Sequence, residues 1–465
     1  MGDRSASTRV VDGSWANGTR ADPARSGRPI DRWPSVTPSQ ELVSRAVLRT
    51  PPTNEEQAVP VTGAPEVAAD PADPEPLGRP SRRFLQWLVA IVVVGAAVRL
   101  GYVWFDRRHA GMVFNDGYYY HYGANLLADG RGFINPFDWN IRQLELQSAD
   151  HPPLFLIYLA GFSALGVRSV TGHLLVSALL GIAAVAVAGM LGRRIGGERI
   201  GLIAAALVAV YPNTWRFDGA LLSEGAVILV VLVVVLLAYR FWDGPTLWRL
   251  VAVGVAVGVA TLARAELLLL VPMLVVPLAL LVRPRRWRTR IGWAALASVV
   301  CLAVVVPWVG YNLSRFEEPV YLSQNLGGTI AGSYCPTTFD GPLIGYWDFN
   351  CPGQAIDASD LVDSSDQRAD AVARRAGLTY LREHVSRVPV VVAARLGRIT
   401  GVYQPTQQRD LDTLTEGVSS WAATAGMITL PFVLVGAAVG GVVLRRRGRV
   451  VFPLVAPIAL SLIHI

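Results

Sequence analysis

The chain has 465 residues, of which 52% are apolar and only 17% charged, with a mean hydropathy of +0.39. Soluble chains carry roughly 25% charged residues, so a string of soluble domains is excluded, and the long apolar runs point to an all-α polytopic membrane protein. There is no lysine: all 42 basic side chains are arginine, which excludes P-loop and Schiff-base lysine chemistry, and the net charge of +7 has to be read by its location.

Residues 1–80 hold twelve prolines, much Ser, Thr, Gly and Ala, and no sustained apolar periodicity. This predicts a disordered leader, too long and too polar for a signal peptide. From Phe84 onward, apolar runs predict membrane helices over 84–105, 172–192, 199–213, 222–241, 247–263, 266–282, 291–310 and 419–444, with a further run at 450–465. The last run falls about four residues short of a span, so the chain is expected to stop inside a membrane helix. Residues 153–167 are equally apolar but only fifteen long, behind His151-Pro152-Pro153, and predict an interfacial or re-entrant helix.

Arginine placement orients these spans. Arg79, Arg82 and Arg83 precede the first, Arg193, Arg194 and Arg199 follow the second, and Arg240 and Arg249 flank the next turn on that side. Five arginines fill 283–290 and four fill 445–449. If 153–167 does not span, every cluster falls on the cytoplasmic side, with the N-terminus inside. The expected organisation is therefore a cytoplasmic leader (1–80), a transmembrane module (84–310) with a first outer loop (106–171), an extracytoplasmic segment (311–418) and C-terminal membrane helices (419–465). Segment 311–418 carries nine Arg against thirteen Asp and Glu. The positive charge is thus an orientation signal, and nucleic acid is not an expected partner. The arginine-only usage suggests a high-GC bacterium and hence its plasma membrane.

Of three cysteines, Cys301 lies in an apolar run, while Cys335 and Cys351 lie sixteen positions apart in the polar outer segment. With no histidine between them a metal site is not expected; a disulfide is the expected reading, two free thiols the alternative.

Chemistry concentrates in the outer segments. In FNDGYYYHYGANLLADGRGF (114–133), Asn115-Asp116 reads as a helix start and Gly130 as its close. Asp116 either caps this helix or presents a carboxylate at the membrane surface. With that carboxylate, Tyr118, His121, Tyr122 and Asn125 are expected along one helix face, as substrate contacts or as an interfacial aromatic belt. His151, before two prolines, is held extended and either binds a substrate or caps the next helix. The turn 212–224 contributes Arg216, Asp218 and Glu224, and the turn 261–267 contributes Arg264 and Glu266, as site residues or as local ion pairs. Arg395 and Arg398, three apart on one helix face, offer guanidinium forks to a phosphate or lie on the lipid surface.

The order of these pieces resembles the GT-C glycosyltransferases, specifically glycosyltransferase family 39, which includes protein O-mannosyltransferases and aminoarabinose transferases. The resemblance rests on Asn115-Asp116 after the first span, the aromatic helix ending ANLLADGRGF, DHPPLF opening the short helix, the GRRIGGER loop, and the outer turns with Asp, Ser-Glu and Arg-Ala-Glu. It covers 84–310 well and 380–402 loosely. It implies a GT-C-like helix bundle and a polyprenyl-phosphate sugar as donor, with transfer on the outer face to an acceptor hydroxyl on protein, lipid or polysaccharide. Asp116 would be the general base of one inverting displacement, and Arg264 a phosphate ligand. His151, Glu224, Tyr118, His121, Arg395 and Arg398 would be further substrate contacts. Many relatives carry a second acid beside the first. Here Gly117 follows Asp116, which argues against a metal, and no cofactor is expected.

A transporter or flippase is the rival class, and a membrane scaffold a third. Transport requires ionisable groups near span midpoints, where Arg99 is the exception to an otherwise outer-end distribution. Convergence of Asp116, His151, Glu224 and Arg264 on one cavity separates the readings.

Overall fold

The computed structural model describes residues 78–282, 285–357 and 366–464. The expected leader lies almost entirely outside the described residues. The helices are, in chain order, α1 (Arg82–Tyr102), α2 (Asp116–Ala128), α3 (Pro136–Arg142), α4 (Leu154–Ala164), α5 (Val170–Gly196), α6 (Glu198–Val210), α7 (Glu224–Asp243), α8 (Leu247–Ala263), α9 (Val276–Leu280), α10 (Trp287–Arg315), α11 (Leu326–Ser333), α12 (Pro336–Phe339), α13 (Asn350–Asp357), α14 (Asp366–Glu383), α15 (Val388–Ile399), α16 (Pro405–Thr415), α17 (Ser420–Arg446) and α18 (Phe452–His464). A single isolated bridge, Ile134 to Gln147, is the only β pairing among the described residues.

Five helical stretches are long and apolar enough to cross a membrane: 82–107, which is α1 with the π turn that prolongs it, and α5, α7, α10 and α17. The other expected spans are shorter, each for a local reason. Helix α6 covers 13 residues because Pro212 follows at the turn. Helix α8 covers 17 and stops where Arg264 turns into extended backbone. The run expected over 266–282 breaks into a 3₁₀ turn (Ala265–Leu269), a π turn (Val271–Val275) and α9, with Pro272 and Pro277 inside it. Helix α18 covers 13 residues. The short apolar run after His151 forms α4, with 11 residues.

Small side chains bring these helices together. A Cβ on Gly254 or Gly258 of α8 would press on the Ala297 and Cys301 carbonyls of α10, so the two helices meet backbone to backbone. Helix α5 packs against α1, α6 and α7. Helix α17 instead turns Ile428, Phe432, Val435 and Val439 outward, as a lipid-facing helix does.

The bundle has two chemically different ends. At one, Ser81 bonds Glu198, Arg194 Nε reaches Asp243 at 2.8 Å, and Tyr239 OH donates to Val450 O at 2.6 Å. These contacts gather the chain at the starts of α1, α6 and α18 and the ends of α5 and α7, together with their arginine clusters. At the other end lie α2 to α4 and α11 to α16. The turn 212–224 between α6 and α7 is held there by Arg99 of α1. Arg99 is fully buried and lies 3.2 Å from Asp218, while its other nitrogens donate to Val208 O, Ala209 O and Thr214 O. It helps close the last turn of α6, where Val208 O also accepts from Thr214 Oγ1 at 2.9 Å and Val210 O from Trp215 Nε1 at 3.0 Å.

Candidate active site

Helix α2 starts on Asn115, whose Oδ1 accepts from Gly117 N at 2.9 Å. The cap is therefore Asn115 and not Asp116. Asp116 stands in the first turn, where the helix dipole favours a carboxylate. Its Oδ1 lies 3.3 Å from His151 Nε2. His151 does not cap α4 either; that position belongs to Pro153, without a side-chain cap bond. Extended by the two prolines, His151 reaches back to α2 and stacks on Tyr120 at 5.1 Å and edge-on to Tyr119 at 5.3 Å.

Asp116 and His151 form part of the wall of a cavity of about 750 Å³. Glu224 from the start of α7 and Arg264 from the end of α8 complete the predicted quartet on the same wall. Arg264 Nη2 meets Glu224 Oε1 at 2.8 Å, and its Nη1 lies 3.7 Å from Glu266 Oε1. Arg216 also lines the cavity, paired at 3.1 Å with Asp412 of α16, which in turn accepts from Gln408 at 2.7 Å. Trp347 and Phe349, packed edge to face at 4.1 Å, line it from the outer segment.

Burial alone would raise the Asp116 carboxyl, but the charge and hydrogen bond of His151, with Arg264 behind, hold it below the usual carboxylate range. Burial pulls His151 down, and Asp116 with Asp150 more than offsets this, so its imidazolium is favoured. Glu224 and Glu266 hold Arg264 charged against its own burial. Glu416 is driven the other way, up to about 8, by burial and then by Glu224, Asp116 and Asp412.

Four expected contacts lie elsewhere. Tyr118 turns to the opposite side of α2, stacking on Phe137 at 5.0 Å and accepting from Asn140 at 2.9 Å. His121 is buried against His173, with 3.0 Å between their Nδ1 atoms. Helix periodicity accounts for both: residues i, i+3 and i+4 share a face, so Asp116 is joined by Tyr119 and Tyr120. Arg395 donates to Ser333 O, and Arg398 to Ile344 O and Gln407, so both bind the outer segment to itself. Cys335 and Cys351 are joined by a disulfide. Among the described residues, the one close group of potential metal ligands is Cys335, Asp348 and Cys351, and the disulfide occupies two of them.

Glu416, Asp412, Gln408, Asn325, Tyr346, Trp347 and Phe349 also line the cavity but were not singled out by motif. They stand 174 or more positions from His151 or Asp116 in sequence and carry no local pattern; only the acidity of 311–418 hinted at them.

Gly117 explains the single acid. A Cβ there would come 2.5 Å from Ala220 O of the outer turn, so no side chain fits behind Asp116.

Residues 150–311 match the family model described as dolichyl-phosphate-mannose-protein mannosyltransferase, in keeping with the resemblance carried by the motifs. That stretch contains His151, Glu224 and Arg264 and stops short of Asp116. No curated protein matches the chain. Among solved structures, the chain is similar to the oligosaccharyltransferase AglB of Archaeoglobus fulgidus, solved with an inhibitory peptide and a dolichol-phosphate (17% identity, TM-score 0.43, 81% of this chain and 46% of that one). It is also similar to ArnT of Cupriavidus metallidurans bound to undecaprenyl phosphate (19% identity, TM-score 0.37, 82% of this chain and 76% of that one). The chain thus spans about half the length of the archaeal protein (46%).

Proposed function

We propose that this protein is a membrane glycosyltransferase, moving a sugar from a polyprenyl-phosphate donor to an acceptor hydroxyl on the extracytoplasmic face. The observation that carries this reading is the shared cavity: Asp116, His151, Glu224 and Arg264, drawn from four separate stretches of chain, all line it. The family match over 150–311 supports the same reaction class. The acidic, disulfide-bearing segment beside the cavity and the arginine clusters at the opposite end of the bundle support an N-terminus inside and a site outside.

The chemistry follows from the geometry. A polyprenyl chain, at about 0.8 kcal/mol per buried CH₂, stays in the bilayer and presents only its phosphate and sugar at the outer ends of the helices. Arg264 meets the phosphate with one guanidinium, already oriented by Glu224. The acceptor oxygen attacks the anomeric carbon as the bond from that carbon to the phosphate oxygen breaks. Asp116 takes the acceptor's proton, and the electron pair leaves on the phosphate, a stable anion. One displacement inverts the anomeric centre and needs one carboxylate, unlike the two of a glycoside hydrolase. His151 holds Asp116 ionised and fixes its direction. A transport pathway has less support, because Arg99, which lies well inside the first span, is fully buried against Asp218.

The test is an assay on membranes with radiolabelled polyprenyl-phosphate sugars, comparing wild type with Asp116→Asn. Transfer that is lost in the variant supports the reading; equal turnover in both removes Asp116 as the base.

A further inference from the structure

The end of α16 and the residues after it, 415–419, form a strap held from several sides. Asn115 Nδ2 donates to Thr415 O at 2.9 Å, and Tyr346 OH meets Thr415 Oγ1 at 3.0 Å. Arg107 Nη2 donates to Gly417 O at 2.5 Å, and Tyr102 OH lies 3.1 Å from Ser419 Oγ. Gly417 takes φ +69°, which favours glycine, and a Cβ there would also press on Val113. These bonds fix the backbone on both sides of Glu416 to the stretch that presents Asp116.

Glu416 lines the large cavity and also a second one of about 20 Å³, room for a single water, shared with Arg107 and Asn115. The charged groups that share the cavity with it and act on its charge are Glu224 on α7, Asp116 on α2, Asp412 on α16 and Arg264 after α8. Arg107 stands behind the strap, and Arg216 and His151 stand elsewhere on the cavity wall. Asp116 has His151, Glu224 and Glu266 have Arg264, and Asp412 has Arg216. Glu416 makes no ion pair among the described residues. Its elevated titration, near 8, leaves it protonated at neutral pH.

A phosphate approaching Arg264 meets the Glu224 and Asp116 carboxylates, which repel it. A carboxyl that keeps its proton instead offers an O–H, and such bonds to phosphate oxygen are short and strong. We propose that Glu416 is a further substrate-binding residue, donating a hydrogen bond from its carboxyl O–H to the lipid phosphate held at Arg264. This rests on the polyprenyl-phosphate reading above. Ionised, the same side chain adds one more carboxylate to those of Asp116, Glu224 and Glu266 against the phosphate and weakens its hold.

The experiment is the affinity of the purified full chain in nanodiscs for undecaprenyl phosphate, measured against pH. Between pH 7 and 9 the wild type is expected to lose about tenfold more affinity than Glu416→Gln, which keeps an N–H donor and cannot ionise. At neutral pH the Gln variant should bind within about threefold of wild type, and Glu416→Ala about tenfold more weakly. Identical pH profiles for wild type and Gln, or unchanged affinity in Ala, would overturn the proposal; melting curves identify any variant that fails to fold. Displacement of the lipid by millimolar inorganic phosphate would show a free-phosphate site and also overturn it. If wild type binds no undecaprenyl phosphate at any pH, the donor reading itself fails, whereas binding with an unaltered Gln profile sinks only the role of Glu416.

Discussion

Asp116 and His151, 3.3 Å apart, come from opposite ends of the first outer loop, and each favours the other's charged form. The carboxyl titrates below its usual range and the imidazole above its own. The stabilising effect of the depressed acid is present above its unfolded value and fades as pH falls through the folded one. That of the raised histidine is present at low pH and fades as pH rises through its folded value.

Activity should accordingly persist into mildly acidic solution and fall only when Asp116 gains its proton. In His151→Gln the nearest opposing charge is gone and burial is offset only by Arg264, so the acid limb of the pH–rate profile moves upward. Asp116→Asn should lower turnover by about 10²- to 10⁴-fold. An acid limb that stays in place without His151 would show that the pair is not coupled.

Arg264 and Glu224 give a second prediction. Arg264→Lys keeps the charge and loses the planar fork, so affinity for undecaprenyl phosphate should drop by about tenfold or more, with folding retained. In Arg264→Gln the Glu224 carboxylate loses its cation, and Glu224→Gln on that background should recover part of the lost melting temperature. Strict additivity of the two changes would count against a direct pair.

The Arg99–Asp218 contact is asymmetric. Burial carries Asp218 up to about 7 against the pull of Arg99, so near neutral pH its charge is already weakly held. Asp218→Asn should therefore cost little, under about 1 kcal/mol. Arg99→Met removes the donor to the Ala209 and Thr214 carbonyls as well as the partner of the acid and should cost about 3–5 kcal/mol, read from unfolding in detergent. The opposite ranking would mean that the ion pair, and not the carbonyl cap, holds the turn.

The disulfide gives a fourth prediction. Cys335 and Cys351 close a loop of sixteen positions, worth about 3 kcal/mol, and Trp347 and Phe349 within it line the cavity. Cys351→Ser or a reductant should lower the melting temperature and weaken acceptor use more than lipid-phosphate binding. Equal loss of both would place this loop's effect on the whole site.

Much of this was legible wherever a signal was local. The Asn115 start and Gly130 close of α2, the short apolar run that became α4, the paired outer cysteines and the arginine clusters at one end all follow from spacing and composition. The face of α2 that meets the cavity was not: the residues expected there, Tyr118 and His121, pack against Phe137 and His173 instead. The i+3 and i+4 rule selects Tyr119 and Tyr120, whereas Tyr118 and His121 lie on other sides of the same helix. The wall built beside α11, α13 and α16 was not legible, because Asn325, Phe349 and Glu416 come to share a cavity with Asp116 only through long-range packing. The span lengths were legible only in part, since Pro212, Pro272 and Pro277 interrupt runs that hydropathy alone joins.

The clearance behind Gly117 sets which reactions this site can be adapted to. Acquiring a neighbouring acid there is not a one-residue step, because the backbone of the 216–221 turn occupies the room that its side chain needs. That turn is fastened to the first membrane helix through Arg99, so moving it would disturb the bundle itself. Whether α2 can carry a second carboxylate beside Asp116 is thus decided by how closely two stretches of main chain approach, while the further acids on the cavity wall, Glu224, Glu266, Asp412 and Glu416, come from other stretches of the chain.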